Sequence, residues 1–476
     1  MNGPDQGLMA EIVSILLSSG GEFADLYFQD MTARQAEAES GRIERIASVR
    51  ERGVGLRLIR HGVTHFGTSV EMSPAALREL AGSLAAGAGE VKSSGKRKVE
   101  GGKGGIELKK RPAGRLPAGE DPSGVPLEQK GKLVLAALRA LDGYDSRLVQ
   151  VKSVYRDSSL VMKVANSDGV YAEDTRYHGV FLVQVVVSDG DHMQTGYEPV
   201  GGTGGYDLFR KIDPGEVALI SAGRALTMLQ APEAPSGTMP VVLSSEAGGT
   251  MVHEAVGHGL EADLAGQELS IYADKMGLQV ASPLVTVVDD ATLPGRRGSY
   301  NYDDEGEPGR RTVLVDKGVL TAFMSDKAAL LKYGMPATGN GRRQSFRNWP
   351  IPRMSNTIIE PGKHVPADIV RSVDRGLLVL KMGGGQVNTV TGDFVFDVSE
   401  GYLIEGGEKA GPVRGATLAG NGPEVLKNID MVGNDLGFGL GTCGKDGQGV
   451  PVGDAQPTLR IPEIVVGGRD AEGGPG

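Results

Sequence analysis

The chain has 476 residues, of which 39% are hydrophobic and 23% are charged, and its formal net charge at pH 7 is −10. This composition excludes a disordered acidic chain, and the length predicts two or three compact units. The negative charge disfavours nucleic acid and anionic membrane surfaces as partners, and no apolar run reaches the roughly 20 residues of a membrane-spanning helix.

The N-terminal residues lack the basic segment of a signal peptide, and the single cysteine, Cys443, excludes an internal disulfide. We therefore expect a cytoplasmic protein without a nucleic-acid or membrane partner. Glycine supplies 73 residues, about twice its average share, which predicts many tight turns and kinked strands.

The first 91 residues are predicted to form an α/β subdomain. Apolar residues recur at helical spacing over residues 12–19, and Gly20 ends that helix. A second helix begins at Pro74, because proline is favoured at the first helical position. The predicted strands cover residues 23–28, 42–50 and 53–60.

Residues 92–126 form a linker in which basic residues lie among glycine, serine and proline. The basic residues include Lys92, Lys96, Arg97, Lys98, Lys103, Lys109, Lys110 and Arg111. They could form an electrostatic contact site or a solvated connector between subdomains. We favour the connector, because no aromatic side chains are interleaved that could stack on bases.

A second α/β subdomain is predicted over residues 127–235. It begins with a helix over residues 128–141 and ends with a helix over residues 214–229. The predicted strands between these helices cover residues 147–156, 159–167 and 179–189. Alanine, proline and glycine over residues 231–237 mark the clearest domain boundary in the chain.

The remaining residues, 236–476, contain one clear helix and many short apolar runs separated by glycine and proline. They predict a β-rich C-terminal domain. The expected fold class of the whole chain is therefore α+β, in which a mixed α/β half precedes a β-rich domain. The one helix of that domain carries residues of a metal-binding type.

This helix covers residues 251–261 and contains the pattern His-Glu-x-x-x-His, formed by His253, Glu254 and His258. The pattern resembles the His-Glu-x-x-His helix of zinc proteases, with one additional residue between the histidines. Histidines four apart lie about 40° apart around a helix, whereas histidines five apart diverge by about 140°. Joint metal binding therefore requires a π-bulge or a helix that breaks before His258, which Gly257 and Gly259 make inexpensive. The alternative is a helix with two surface histidines and a solvated glutamate.

Cys443 lies in a glycine-rich segment at residues 438–445. A lone cysteine is commonly a small core residue. It could instead complete a His-His-Cys set with His253 and His258, which leaves a fourth tetrahedral position for water. Glu254 would then lie near the metal without binding it, and would act as the general base for the metal-activated water.

Several longer blocks make the sequence similar to one known family. Residues 245–249, followed by residues 253–263, resemble the signature of the TldD/PmbA family and of its metal-bearing TldD branch. Further matching blocks lie at residues 300–306, 341–345, 353–357, 383–387 and 441–445. Their order and spacing over residues 236–462 are TldD-like, and the N-terminal half follows the family more loosely.

The resemblance implies a zinc metallopeptidase with one Zn2+ per chain, held by His253, His258 and Cys443, and with Glu254 as general base. It also implies that unfolded or extended peptides bind as an added β-strand and are then hydrolysed. A heterodimer with a PmbA-type (TldE) subunit that lacks the metal motif is implied as well, and a homodimer stays open. Two other functions are open: a catalytically silent peptide-binding or channel subunit, and a metal hydrolase of small amides.

Two of the matching blocks supply candidate substrate-binding residues. Gly384, Gly385 and Gln386 could form the strand edge that holds the peptide backbone, or only a kinked turn. Arg342 and Arg343 could pair with a substrate carboxylate or hold the acidic loop at residues 303–305, and we favour the structural pairing.

Overall fold

The computed structural model of the chain describes residues 3–89 and 106–468. It confirms the expected α+β class, because a part with long strands and helices precedes a part built mainly from strands. No helix in the described ranges is both long enough and apolar enough to cross a membrane.

The N-terminal part is built on one seven-stranded sheet in the order β3-β2-β1-β5-β6-β4, with β7 also paired to β6. Its strands are β1 (Phe23–Glu39), β2 (Arg42–Arg60), β3 (Val63–Ser69), β4 (Lys109–Lys110), β5 (Leu148–Asn166), β6 (Val170–Ser188) and β7 (Met193–Thr203). Its helices are α1 (Gln6–Leu16), α2 (Pro74–Gly87), α3 (Leu127–Arg139) and α4 (Pro214–Gln230).

These four helices pack on one face of the sheet. Apolar residues of α1 and α2 bury the β1–β2 end of that face, and those of α3 and α4 bury the β5–β6 end. The opposite face contacts the C-terminal part, where Tyr27 and Met162 pack with Tyr302 and Phe346. Burial of apolar surface on both faces thus fixes the sheet between the helices and the C-terminal part.

The predicted break within β2 is wrong. This strand runs without interruption from Arg42 to Arg60, where the sequence predicted separate strands over residues 42–50 and 53–60. A Cβ at Gly53 would lie 2.4 Å from the Phe346 ring. The glycine therefore allows a close contact with the C-terminal part rather than a turn.

The two predicted N-terminal subdomains, 1–91 and 127–235, both supply strands to this sheet. β1 pairs antiparallel with β5 from Asp25↔Asn166 to Glu39↔Lys152. β5 is also continuous where separate strands were predicted over residues 147–156 and 159–167, because the residues between them stay paired with β6.

The C-terminal part contains a six-stranded sheet in the order β11-β10-β9-β14-β21-β20 and a seven-stranded sheet that closes on itself. In the second sheet β15, β8, β22, β18 and β16 follow one another, and β16 pairs again with β15.

The C-terminal strands are β8 (Gly237–Leu243), β9 (Val287–Asp290), β10 (Arg311–Asp316), β11 (Val319–Leu320), β12 (Gly341–Arg342), β13 (Ile351–Pro352), β14 (Asn356–Ile359), β15 (Arg375–Val387), β16 (Asp393–Glu405), β17 (Glu408–Val413), β18 (Thr417–Asn421), β19 (Met431–Val432), β20 (Gly437–Lys445), β21 (Gln448–Gln456) and β22 (Leu459–Gly467). The helices are α5 (Thr250–Val252), α6 (Ala262–Gly266), α7 (Lys327–Tyr333), α8 (Pro366–Arg371) and α9 (Gly422–Asn428). One core packs the two sheets around α5 and the segment that follows it.

The described part of the linker, residues 106–126, is mostly exposed, but it is attached to the rest of the protein at several points. β4 pairs with β6 in parallel. The Tyr302 hydroxyl donates to the Pro112 carbonyl oxygen at 2.6 Å, and the Leu116 N–H donates to Asn301 Oδ1 at 2.9 Å. The basic residues at positions 92, 96–98 and 103 lie outside the described residues.

A buried set of charges lies where the N-terminal sheet meets the C-terminal part. We call it the junction cluster: Asp25, Arg57, Asp174, Arg176, Asp304, Glu305 and Arg343. Arg57 donates to Asp25 Oδ2 and to Glu305 Oε1, both at 2.7 Å. Arg176 donates to Asp304 Oδ1 at 3.0 Å and to Asp174 Oδ2 at 3.1 Å. Breaking one of these buried ion pairs would leave an uncompensated charge, so the cluster fixes the two parts against each other.

Candidate metal centre

The segment that carries the two histidines is not a regular α-helix. A π-helical turn over His253–Gly257 follows α5 and passes into a 3-10 turn over His258–Leu260. The His258 N–H donates to the His253 carbonyl oxygen, five residues earlier. The π-bulge, one of the two distortions that joint metal binding by the histidines would require, is therefore present.

The glycines in this segment act through size rather than through backbone freedom. Gly257 has an ordinary helical φ of −55°. A Cβ at Gly257 would lie 2.1 Å from the Met354 sulfur, and a Cβ at Gly259 would lie 2.7 Å from the Tyr272 ring. Glycine thus lets the distorted helix approach the neighbouring core closely, which corrects the expectation that these glycines lower the cost of the distortion.

The π-bulge brings His253 and His258 to the same point, where Cys443 joins them. The nitrogen and sulfur atoms that these three residues can offer to a metal all lie within 4.8 Å of one another. His258 Nε2 lies 3.4 Å from Cys443 Sγ, and the two imidazole rings meet edge to face with centroids 5.2 Å apart. Cys443 lies on β20 opposite Val450 of β21, and only 3% of it is exposed.

The electrostatics of this set favour a thiolate. Burial opposes ionisation of Cys443, but hydrogen bonds from His253 and His258 and their positive charges outweigh it and lower the pKa of the thiol to about 5. Burial lowers the pKa of both histidines. Cys443 raises the pKa of His253, and Glu261 raises that of His258, so that the net change is a rise for each ring.

His253 Nδ1 is buried and has no hydrogen-bond partner in the part of the chain that the structure describes. A buried polar atom without a partner is costly unless a ligand satisfies it. Two imidazoles and one thiolate are also the donor types that bind zinc. The residues present therefore fit a divalent metal ion.

Glu261 contacts His258 on the ring nitrogen that faces away from Cys443. His258 Nδ1 lies 3.0 Å from Glu261 Oε2, and this contact leaves Nε2 facing Cys443. Lys445 Nζ lies 3.0 Å from Glu261 and 2.7 Å from Asp263. Burial opposes ionisation of Glu261, but Lys445 and His258 lower its pKa to about 2. A charged carboxylate on the second ring nitrogen orients a metal-binding histidine and fixes its tautomer.

The roles of Glu261 and Lys445 were missed in the sequence, although both residues lie in blocks that match the family. The available signal for Glu261 was its position three residues after His258, which places both side chains on one side of a helical turn. No local pattern indicated the role of Lys445, because it lies on β20 and is remote in sequence from residues 253–263.

Glu254 lies beside this set. Its Oε2 atom is 4.0 Å from His258 Nε2, and 29% of its side chain is exposed. It is therefore close to the histidine nitrogen that faces Cys443, while water can still reach its carboxylate.

Arg353, from a block that matches the family, supports the strand that carries Cys443. It is fully buried, and its guanidinium donates to the Cys443 carbonyl oxygen at 2.5 Å and to the Gln448 carbonyl oxygen at 3.2 Å. These two bonds tie the end of β20 to the start of β21.

Arg342 and Arg343 are buried and bonded within the protein. The Arg343 N–H donates to Asp304 Oδ2 at 2.8 Å and its guanidinium donates to the Asp304 carbonyl oxygen at 3.0 Å, so this residue holds the acidic loop as the structural alternative expected. The Arg342 guanidinium donates instead to the carbonyl oxygens of Met354 and Pro451. The structure therefore does not bring either guanidinium to the histidine–cysteine set.

Gly384, Gly385 and Gln386 lie on an exposed stretch of β15. They line a groove of about 680 Å3 together with residues of β16. β16 pairs with one edge of this stretch, and β8 pairs only with residues 377–379 of β15. In the part of the chain that the structure describes, no strand pairs with the other edge of residues 383–387.

The chain is similar to known proteins along most of its length. Family models of the PmbA/TldA metallopeptidase match domain 1 at residues 24–88, the central domain at residues 120–229 and the C-terminal domain at residues 236–468. The Metalloprotease TldD homolog of Haemophilus influenzae is 36% identical over 469 residues, which cover 97% of this chain and 96% of that protein.

Two further comparisons extend this similarity. The Zinc metalloprotease TldD homolog of Saccharolobus solfataricus is 31% identical over 287 residues, which cover 60% of this chain and 64% of that protein. The solved structure of TldE from Thermococcus kodakarensis has the same fold, with a TM-score of 0.73 and 18% identity over 96% of this chain and 99% of that one.

Proposed function

Because the chain belongs to the PmbA/TldD metallopeptidase family, we propose that it is a zinc-dependent peptidase of the TldD type that hydrolyses unfolded or extended peptides. The observation that carries this proposal is the convergence of His253, His258 and Cys443, whose donor atoms lie within 4.8 Å of one another. A homologue named as a zinc metalloprotease supports the choice of metal.

These three residues would hold one zinc ion per chain and leave one coordination position open. When bound, the ion supplies a Lewis acid that favours attack of water on a peptide carbonyl and stabilises the negative charge that develops on its oxygen. Glu261 keeps His258 in the required orientation through the contact to Nδ1.

Glu254 is the proposed general base. Its carboxylate lies 4.0 Å from His258 Nε2 and remains partly exposed, so water and a peptide can both reach it. It would take a proton from the water that adds to the carbonyl carbon. The protonated carboxyl would then return that proton to the amine nitrogen as the C–N bond breaks, which completes hydrolysis without a net change in the enzyme.

The exposed edge of β15 at residues 383–387 is the proposed site of peptide binding. A peptide added there would form main-chain hydrogen bonds, which supply affinity with little demand on sequence. The turn between β15 and β16 lies close to the metal centre. In this turn, the Gly392 carbonyl oxygen accepts a hydrogen bond from the Gly422 N–H at 2.8 Å. A Cβ at Gly422 would lie 2.5 Å from the Ala255 carbonyl oxygen. Ala255 directly follows Glu254 in the sequence.

A PmbA-type (TldE) subunit is the proposed partner, since a TldE structure shares the fold of this chain. A catalytically silent binding subunit is the alternative function for the chain itself. Two observations argue against that alternative: the donor atoms of His253, His258 and Cys443 lie close together, and the pKa of the Cys443 thiol is lowered. A silent subunit would gain nothing from a buried set of metal ligands.

The decisive test is cleavage of a denatured protein by the zinc-loaded chain, alone and mixed with the TldE-type subunit from the same source. We expect peptide products from at least one of these samples, loss of products after treatment with a chelator, and recovery when zinc is returned. Absence of products from both samples at one bound zinc per chain would contradict the proposal.

A further inference from the structure

A crevice of about 250 Å3 lies where the N-terminal sheet meets β20. β5, β6 and β7 form one wall, on the sheet face opposite α3 and α4, and β20 with the loop at residues 291–299 forms the other. The polar side chains that line it include Arg156, His178, Tyr197, Arg297 and Thr442. None of these side chains has a part in the proposed hydrolysis.

Arg297 is the central charged group of this crevice. Its Nε donates to the Gly441 carbonyl oxygen at 2.9 Å and one terminal nitrogen lies 3.4 Å from Thr442 Oγ1, so both contacts are to uncharged oxygen atoms. Burial lowers the pKa of Arg297 to about 10, and the positive charges of Arg156 and Arg342 add to this effect. Among residues 3–89 and 106–468, this guanidinium therefore lacks the carboxylate partner usual for a buried arginine.

The acidic residues nearest to the crevice are engaged elsewhere. Asp157 is part of the lining, but its carboxylate is paired with Lys130 of α3 on the helix-covered face. Glu37 attracts Arg156, yet its carboxylate lies 2.5 Å from Lys152. Positive charge in the crevice thus exceeds the negative charge that the surrounding residues supply.

His178 adds a polar atom without a partner. Its Nδ1 is buried and forms no hydrogen bond. Burial lowers the pKa of His178, and Arg297 and Arg176 lower it further, so the ring stays neutral and has one N–H to donate. With that proton on Nδ1, the ring would place a buried donor beside the Arg297 guanidinium, and an anion can satisfy both groups.

We propose that this crevice binds a carboxylate of the peptide substrate, either its C-terminal carboxylate or an acidic side chain. This inference rests on the proposed peptidase function and adds a substrate preference to it. The planar guanidinium of Arg297 matches the two oxygens of a carboxylate, and Arg156 supplies a second cation at the open side.

Thr442 links the crevice to the metal centre, because it directly precedes Cys443 in β20. Adjacent side chains of a strand point to opposite faces, so the crevice and the Cys443 sulfur lie on opposite sides of β20. β20 is the edge strand of its sheet, so a peptide that joins the crevice to the metal centre has to pass around this edge.

The test uses one mixed-sequence peptide in three forms: with an internal Glu and a free C-terminus, with Gln in place of that Glu, and with a C-terminal carboxamide. For Arg297→Gln, we expect KM for the carboxylate form that the wild type prefers to rise about tenfold at unchanged kcat, because uniform binding is lost. A higher wild-type KM for the Gln form would identify the acidic side chain as the bound carboxylate. A higher wild-type KM for the carboxamide form would identify the C-terminal carboxylate. Arg45→Gln, an exposed arginine of β2, is the control with the same change in charge and should keep the wild-type KM.

Equal KM values for the three forms on the wild-type protein would overturn the inference, and so would an unchanged preference in Arg297→Gln. If Arg297→Gln does not fold, Arg156→Gln takes its place with the same expected direction. Calorimetric binding of the three peptides to wild-type protein measures the preference without turnover. Cleavage without a carboxylate preference would overturn only this inference, whereas carboxylate-dependent binding without any cleavage would overturn only the proposed peptidase function.

Discussion

The metal centre and the junction cluster are both buried and both polar, but their charges are balanced differently. In the junction cluster, the Arg57 and Arg176 guanidinium groups are each paired with two carboxylates. In the metal centre, two imidazoles and a thiol present donor atoms to one another, and His253 Nδ1 has no partner. Opposite charges that pair within the protein hold its parts together, whereas converging donors need a ligand.

The largest expected effect is the loss of kcat in Glu254→Gln, a change at the metal centre that should leave the junction cluster intact. Removal of the general base should lower kcat by a factor of about 100 to 10,000, while zinc content and stability stay near the wild-type values. Peptide turnover and elemental analysis on the same preparation measure both properties. A kcat near that of the wild type would remove Glu254 from the proposed mechanism.

The junction cluster should respond in the opposite way. Arg57→Met leaves Asp25 and Glu305 buried without their shared partner, so the free energy of unfolding should fall by about 3 to 5 kcal/mol. Zinc affinity of the folded protein should not change. Urea unfolding of zinc-loaded protein measures the loss.

The control for this change is Arg42→Met, because Arg42 forms an ion pair with Glu44 while 77% of its side chain is exposed. Its unfolding curve should match that of the wild type, since exposed ion pairs are well screened by solvent. Equal curves for Arg57→Met and Arg42→Met would contradict the role given to the junction cluster.

A smaller effect is expected for Glu261→Gln, which keeps the size of the side chain but removes the charge beside His258. Zinc affinity should fall by about 10- to 100-fold, because the carboxylate orients the histidine and increases its basicity. Competition with a chromophoric chelator measures this change. Asp263→Asn is the matched control, since Asp263 shares the Lys445 contact without touching His258; an equal loss in both variants would argue against orientation of the ring by Glu261.

The smallest effect concerns pH and a carboxyl near the junction cluster. Burial and the charge of Glu305 raise the pKa of Asp326 to about 8. A carboxyl whose pKa is higher in the folded state stabilises the fold below its unfolded pKa, and this contribution is lost as pH rises towards 8. Asp326→Asn should therefore unfold at a higher temperature than the wild type at pH 8, with a smaller difference at pH 5.

Asparagine preserves the side-chain oxygen by which Asp326 accepts a hydrogen bond from the Ala329 N–H at 2.8 Å. Asp5→Asn changes an exposed cap of the same kind, at the start of α1, and is the control. A melting-temperature difference for Asp326→Asn that is the same at pH 5 and pH 8 would show that Asp326 does not hold a proton in the folded protein.

The sequence predicted the local geometry of the metal centre because the relevant signal is local. His253 and His258 are five positions apart, and only a distorted helix lets both side chains face one point. The residue type made Cys443 an open candidate, and the resemblance to a known family favoured it as a ligand. No periodicity could have paired it with residues almost 200 positions earlier.

Features that depend on distant residues were not predictable in the same way. The continuity of β2 through Gly53 depends on Phe346, which fills the space that a side chain would occupy. The buried contacts of Arg342 are with the carbonyl oxygens of Met354 and Pro451. Every residue has a backbone carbonyl, so the sequence does not indicate which carbonyl oxygens accept these hydrogen bonds. The crevice around Arg297 likewise combines residues from six separate segments.

The most direct test of the central claim is X-ray absorption at the zinc edge on protein that carries one equivalent of zinc. We predict one sulfur at about 2.3 Å and nitrogen or oxygen ligands at about 2.0 to 2.1 Å, with loss of the sulfur signal and of tight zinc binding in Cys443→Ser. A wild-type spectrum with only nitrogen and oxygen ligands would contradict a site formed by His253, His258 and Cys443.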